Sequence, residues 1–91
     1  MKTRAVLSVL GADRVGIVAT IATALAGLSV NIEDIRQTIL SDVFSMTMLV
    51  TIDESISPFE DVQTRLAEVA QEIGMQVTLQ REDVFRFMHR V

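Results

Sequence analysis

The sequence predicts an α+β fold with its elements in the order β-α-β-β-α-β. Three observations carry that reading. Phe44, Met46, Met48, Val50 and Ile52 alternate with Ser45, Thr47, Leu49 and Thr51, the two-residue period of a half-buried strand. Only Ser41-Asp42 separates that strand from the one before it, so the two form an antiparallel hairpin. Before and after this hairpin run two stretches with the apolar spacing of helices, each following a turn signal.

The first strand runs from Thr3 to Leu10. Ala5, Leu7 and Val9 share one apolar face, and Arg4, Val6, Ser8 and Leu10 share a mixed one. Gly11 ends it, and Asp13 is the expected N-cap of a helix from about Val15 to Leu28. That helix places Val18, Ile21, Ala22, Leu25 and Leu28 on one stripe. Its other side, Ala19, Thr20, Thr23, Ala24 and Gly27, carries no charge, so a neighbouring subunit is expected to cover part of it. A second strand spans Val30 to Leu40, with Glu33, Ile35, Gln37 and Ile39 on one face and Asp34, Arg36, Thr38 and Leu40 on the other.

After the third strand, Ser57-Pro58-Phe59-Glu60 reads as a capping box with proline at the first helical position. This helix turns Phe59, Val62, Leu66, Val69, Ala70 and Ile73 inward, and Gly74 stops it. Met75 to Glu82 is the fourth strand, with Met75, Val77 and Leu79 inward. Asp83 then caps a short helix from Val84 to Val91 that holds the single His, His89. With right-handed crossovers this order gives a ferredoxin-like sandwich: a four-stranded antiparallel sheet, two helices on one face, and a short C-terminal helix.

Composition narrows the function. The chain has 91 residues, of which 49% are hydrophobic, and one domain over 1–91 accounts for it, with a core at 3–82 and a tail at 83–91. Twelve acidic residues against 8 basic ones give a net charge of −4, which speaks against a nucleic-acid partner. The outer sheet face (Ser45, Thr47, Thr51, Thr78) also lacks stacking aromatics. With no cysteine and one histidine, no metal centre or cofactor is expected. Met46, Met48, Met75 and Met88 read as pliable core residues. The uncharged run from Val15 to Val30 is shorter than the roughly 20 residues a bilayer needs and follows Asp13-Arg14. The expectation is therefore a cytoplasmic protein with no membrane partner. A domain this small gains burial by forming a homodimer or higher homo-oligomer.

No catalytic constellation stands out. His89 has no partner in sequence, and Glu33-Asp34 and Glu82-Asp83 are neighbours that a strand points to opposite faces. The Asp13–Gly16 turn carries more. A glycine-containing helix start presents free backbone N–H groups and the positive end of a helix dipole, which favours a carboxylate. Arg36 and Gln37 lie mid-strand and read as a solvated sheet face. The alternative places Arg36 where the sheets of two subunits meet or near a bound carboxylate.

The stretch GADRVGIVATIATALAGLSVNI resembles the signature of the ACT domain family. In that family a strand ends in an aspartate-basic-x-glycine turn, a helix follows, and a hydrophobic-Asn-Ile step opens the next strand. The tail QREDVFRFMHRV, with QTIL and the Met-rich third strand, is similar to a group of small stand-alone ACT proteins of uncharacterised function that carry an MHR-type tail. The resemblance implies a non-enzymatic regulatory protein that binds a small amino acid or related carboxylate at a homodimer interface and regulates a partner protein in trans. It assigns the ligand to Gly11, Ala12, Asp13, Arg14, Val15 and Gly16 of one subunit and to Asn31 and Ile32, often from the neighbouring subunit. Apart from the resemblance, Arg86, His89 and Arg90 read either as a partner-docking tail or as part of a helix that covers an exposed sheet edge or core opening. One departure is Val15, where the family usually has a proline that pre-sets the first helical turn. The alternatives are a ligand-free interaction module and, from another class, a small acyl phosphatase using Arg14 and Asn31, which lacks the expected glycine-rich cradle.

Overall fold

The computed structural model describes residues 2–88. The elements follow the expected order: β1 (Lys2–Ala12), α1 (Ile17–Gly27), β2 (Asn31–Leu40), β3 (Val43–Asp53), α2 (Phe59–Ile73), β4 (Gln76–Arg81) and α3 (Glu82–Met88). The sheet order is β2-β3-β1-β4, and every neighbouring pair is antiparallel. His89, Arg90 and the end of the expected tail helix lie outside the described residues. Among those described, no helix is long and apolar enough to cross a membrane.

The alternating strands build the core as expected. Ala5, Leu7 and Val9 of β1 and Phe44, Met46, Met48, Val50 and Ile52 of β3 are buried on the face that the two long helices cover. From α2 come Phe59, Val62, Leu66 and Val69, and Gly74 ends that helix in a left-handed conformation at φ 67°. Gly11 serves close packing: a Cβ there would lie 2.6 Å from Met75 Sδ.

Five local expectations are corrected. Helix α1 buries Ile17, Ile21, Ala24 and Leu25, a stripe rotated from the expected one, because α2 packs along its Ala24 side. Asp13 does not cap α1. The N-cap is Gly16 at φ 88°, and Asp13 instead donates its backbone N–H to Asp42 O at 2.8 Å, tying the β1–α1 loop to the hairpin turn. Ser57 does not cap α2 either. Its hydroxyl donates to Leu28 O at 2.7 Å, Pro58 occupies the N-cap, and Glu54 Oε1 accepts from Phe59 N at 3.3 Å in its place.

In β2 the pairing jumps from Ile32↔Val50 to Asp34↔Leu49, so Glu33 is a bulge residue. Ile32 therefore joins Ile35, Gln37 and Ile39 on the helix-side face, and Glu33 reaches Arg4 of the opposite face at 3.9 Å. Lastly, α3 begins at Glu82 rather than Val84. It lies against the second sheet face, where Phe85 and Arg86 flank a groove of about 340 Å³ over Val6, Thr47 and Leu49, leaving Val6 only 8% exposed.

Glu54 anchors the foot of the fold. Its Oε2 accepts from the Thr3 hydroxyl and from Arg81 Nη1 at 3.0 Å, and the Arg81 guanidinium sits 4.2 Å over the Phe59 ring. The Thr3 hydroxyl, with Arg81 second, holds the Glu54 carboxyl below its ordinary value.

Candidate functional site

The β1–α1 loop is set by the left-handed Gly16, a conformation that side chains with a Cβ rarely adopt. It turns the chain so that α1 starts with no side-chain cap, and Thr20 N–H is the first amide to bond back, to Gly16 O at 2.9 Å. The amides of Ile17, Val18 and Ala19 precede that bond, which leaves three first-turn donors at the positive end of the helix. Ala12, Asp13, Arg14 and Val15 are exposed, Val15 fully. Arg14 is turned away: its Nη1 donates to Ile73 O at 2.9 Å and so satisfies a terminal carbonyl of α2.

Asn31 sits at the other end of the same chain. It pairs with Thr51, whereas Gly11 pairs with Phe44, seven residues further up the ladder. That separation is about 23 Å at about 3.3 Å per residue. A single chain therefore does not bring the loop and Asn31 together, nor does it converge Arg14 and Asn31 on one phosphate. Around Asn31 lies a pocket of about 390 Å³ shared with Lys2, Ser29, Thr51, Asp53 and Ile56. Sequence reasoning missed Lys2, Thr51, Asp53 and Ile56 here, which lie 20 residues or more from Asn31 along the chain. Asp53 is held below its ordinary value, chiefly by the Ser55 hydroxyl at 2.6 Å. Arg36 stays on the surface with Asp34 at 2.6 Å, its side chain 79% exposed. Arg86 pairs with Glu82 at 3.2 Å within α3. Among the described residues no group of His, Cys, Asp and Glu is arranged to hold a metal ion.

What joins the two ends is an edge. Strand β2 has β3 on one side only, and all ten of its residues are exposed, with Ile32, Ile35, Ile39 and Leu40 among them. The ACT domain family model matches residues 3–80 of the chain. The chain belongs to the ACT domain family. A UPF0237 protein of Methanopyrus kandleri is 49% identical over 89 residues, covering 98% of this chain and 99% of its own length. The structure of an ACT domain protein from Streptococcus pneumoniae is 29% identical, with a TM-score of 0.79 over 91% of this chain and 93% of that one. The regulatory subunit of aspartate kinase from Thermus thermophilus is 25% identical, with a TM-score of 0.68 over 86% of this chain and 50% of that one. The sandwich described above is thus the ACT regulatory fold.

Proposed function

We propose that this ACT protein is a non-enzymatic regulator that homodimerises through β2 and binds a small amino acid or related carboxylate between its subunits. The observation that supports it most is the uncovered β2 edge. Beyond the bulge at Glu33, the edge from Asp34 to Leu40 has unpaired backbone groups and the exposed Ile35, Ile39 and Leu40, with neither proline nor lysine to blunt it, and so offers a pairing surface. Two copies of β2 related by a two-fold axis run antiparallel. The start of one then meets the end of the other.

That arrangement sets Asn31 of the partner subunit beside Leu40, at the loop end of the fold. Across the sheet, Leu40 pairs with Val43, which pairs with Ala12 at the entrance to the loop. A ligand held there would give its carboxylate to the uncapped amides of Ile17, Val18 and Ala19. The Asn31 amide supplies a donor for a carboxylate and an acceptor for an ammonium. A ligand shared between subunits shifts the dimer only by its differential affinity for two arrangements, and that shift is the signal passed to a separate protein. The likeness to the regulatory subunit of aspartate kinase supports this use of the fold.

Isothermal titration of the dimer with a panel of free amino acids tests the reading. Binding of one amino acid, weakened about tenfold or more by Asn31→Ala, is expected from the loss of a charge-assisted hydrogen bond. An intact dimer that takes up none of the panel would overturn it.

A further inference from the structure

The helix layer holds a second surface, separate from the β2 edge and from the ligand loop. Between α1 and α2 runs an open groove of about 460 Å³. Its α1 wall is the row Ala19, Thr23 and Gly27, spaced four residues apart and exposed, and its floor includes Ala24 and Val69, which are 9% and 1% exposed. Small side chains on that wall let another backbone approach closely. Nothing along α1 is charged.

The α2 wall is the opposite in character. Arg65, Val69 and Glu72 line it, and the helix they belong to is acidic as a whole: Glu60, Asp61, Glu68 and Glu72 against the single Arg65 put three of the chain's four net negative charges on α2. Arg65 is held between Glu68 at 3.3 Å and Glu72 at 3.7 Å, at the rim of the groove. An apolar trough beside an acidic rim selects its occupant by charge. A second copy laid on this face would set one acidic helix against another, and lipid surfaces and nucleic acids carry the same sign. From the groove and its charge we infer that the helix layer docks a cationic amphipathic helix of a separate protein, its apolar stripe in the α1–α2 groove and its Lys and Arg side chains along α2. The pairing of β2 edges lies in the plane of the sheet and leaves this surface free.

The test uses the intact protein and two defined probes. One is a fluorescein-labelled helical peptide of about 18 residues with leucine at i, i+3, i+4 and i+7 and lysine elsewhere. The other has glutamate in place of each lysine. Fluorescence anisotropy is expected to show binding of the lysine peptide alone, weakening as salt is raised. Amide shifts are expected to concentrate at Thr23, Gly27 and Glu72. Two variants separate shape from charge. Gly27→Leu fills the groove, and a Cβ there meets nothing within 4 Å, so the fold accommodates it. Glu68→Lys with Glu72→Lys reverses the rim. Each is expected to weaken the lysine peptide by about tenfold or more. The inference is overturned if neither peptide binds, if both bind equally, if the shifts lie elsewhere, or if binding survives both variants. Asn31→Ala is expected to leave peptide binding unchanged, so failure of the amino-acid site and failure of this surface are distinguishable.

Discussion

Replacing Ile35 by serine probes the β2 interface with a magnitude that follows from the structure. Ile35 lies near the middle of β2, close to where a two-fold axis between paired strands would pass, and it retains 38% of its surface. Full burial of an isoleucine side chain contributes about 1.5–3 kcal/mol, so covering the remaining exposure contributes about 1 kcal/mol per protomer. Symmetry doubles every contact, giving about 2 kcal/mol, or about 30-fold in the dimer dissociation constant. Sedimentation velocity across a dilution series reads that constant for wild type and Ile35→Ser. Gln71→Ser, an exposed change on α2, serves as the control and is expected to leave it unchanged. A dissociation constant within about threefold of wild type, with the melting temperature lowered by the same substitution, would show that Ile35 supports the monomer and not the interface. The β2 pairing would then be wrong.

Three further outcomes follow from the monomer. Because the Glu54 carboxyl titrates below its ordinary 4.5, it adds stability that is fully present above that value and is lost as pH falls through the lower folded value. Urea denaturation between pH 5 and pH 2 should therefore show a steeper acid loss for wild type than for Glu54→Gln; parallel curves would contradict it. Ser29 closes α1 at φ 59°, with Ser29 N bonded to Ala26 O and Val30 N to Leu25 O, a turn that suits glycine. Ser29→Gly should stabilise by about 1 kcal/mol and raise the melting temperature by roughly 4–8 °C, and a lowered one would refute the strain. Ile21 is fully buried, and Ile21→Ala should cost about 2–5 kcal/mol by calorimetry, whereas a cost under about 1 kcal/mol would mean that α1 does not seal the core.

Much of this architecture was legible because β3 alternates with a period of two, and β1 more loosely so, which leaves one choice of inward face. Helix α1 was harder. It is apolar or small all round, so no polar side fixes its rotation, and the stripe was settled only by where α2 lies. The bulge at Glu33 was hidden because the residues on either side of it still alternate. Capping rules failed at Ser57 because its hydroxyl found a distant partner, Leu28 O, and at Asp13 because α1 starts three residues later, at the left-handed Gly16. Glu54 took over a cap from outside the helix, which no spacing rule anticipates.

The site residues were legible individually and their separation was not. The loop signal came from Gly16 and the uncharged helix start, and Asn31 from its place at the head of β2. Their positions at opposite ends of one chain follow from topology: β1 and β2 both run antiparallel to the β3 between them, so the end of one and the start of the other lie far apart. Lys2, Thr51 and Asp53 join Asn31 only once strands 20 residues or more apart in sequence are placed side by side. Arg14 looked like an anion ligand by its position, yet its guanidinium serves the end of α2.

The shared site makes one demand that a site within a single chain does not. Gly16→Val strains the loop at φ 88° without a steric clash, and Asn31→Ala removes the amide at the other end. Each homodimer is then expected to lose the amino acid that titration identifies. Co-refolding the two variants gives a heterodimer in which one site receives a wild-type loop from one subunit and a wild-type Asn31 from the other. The account predicts that titration of the mixture recovers binding at wild-type affinity, at about one site for every two heterodimer chains. If the mixture binds no better than the separate variants, the loop and Asn31 do not meet across the dimer.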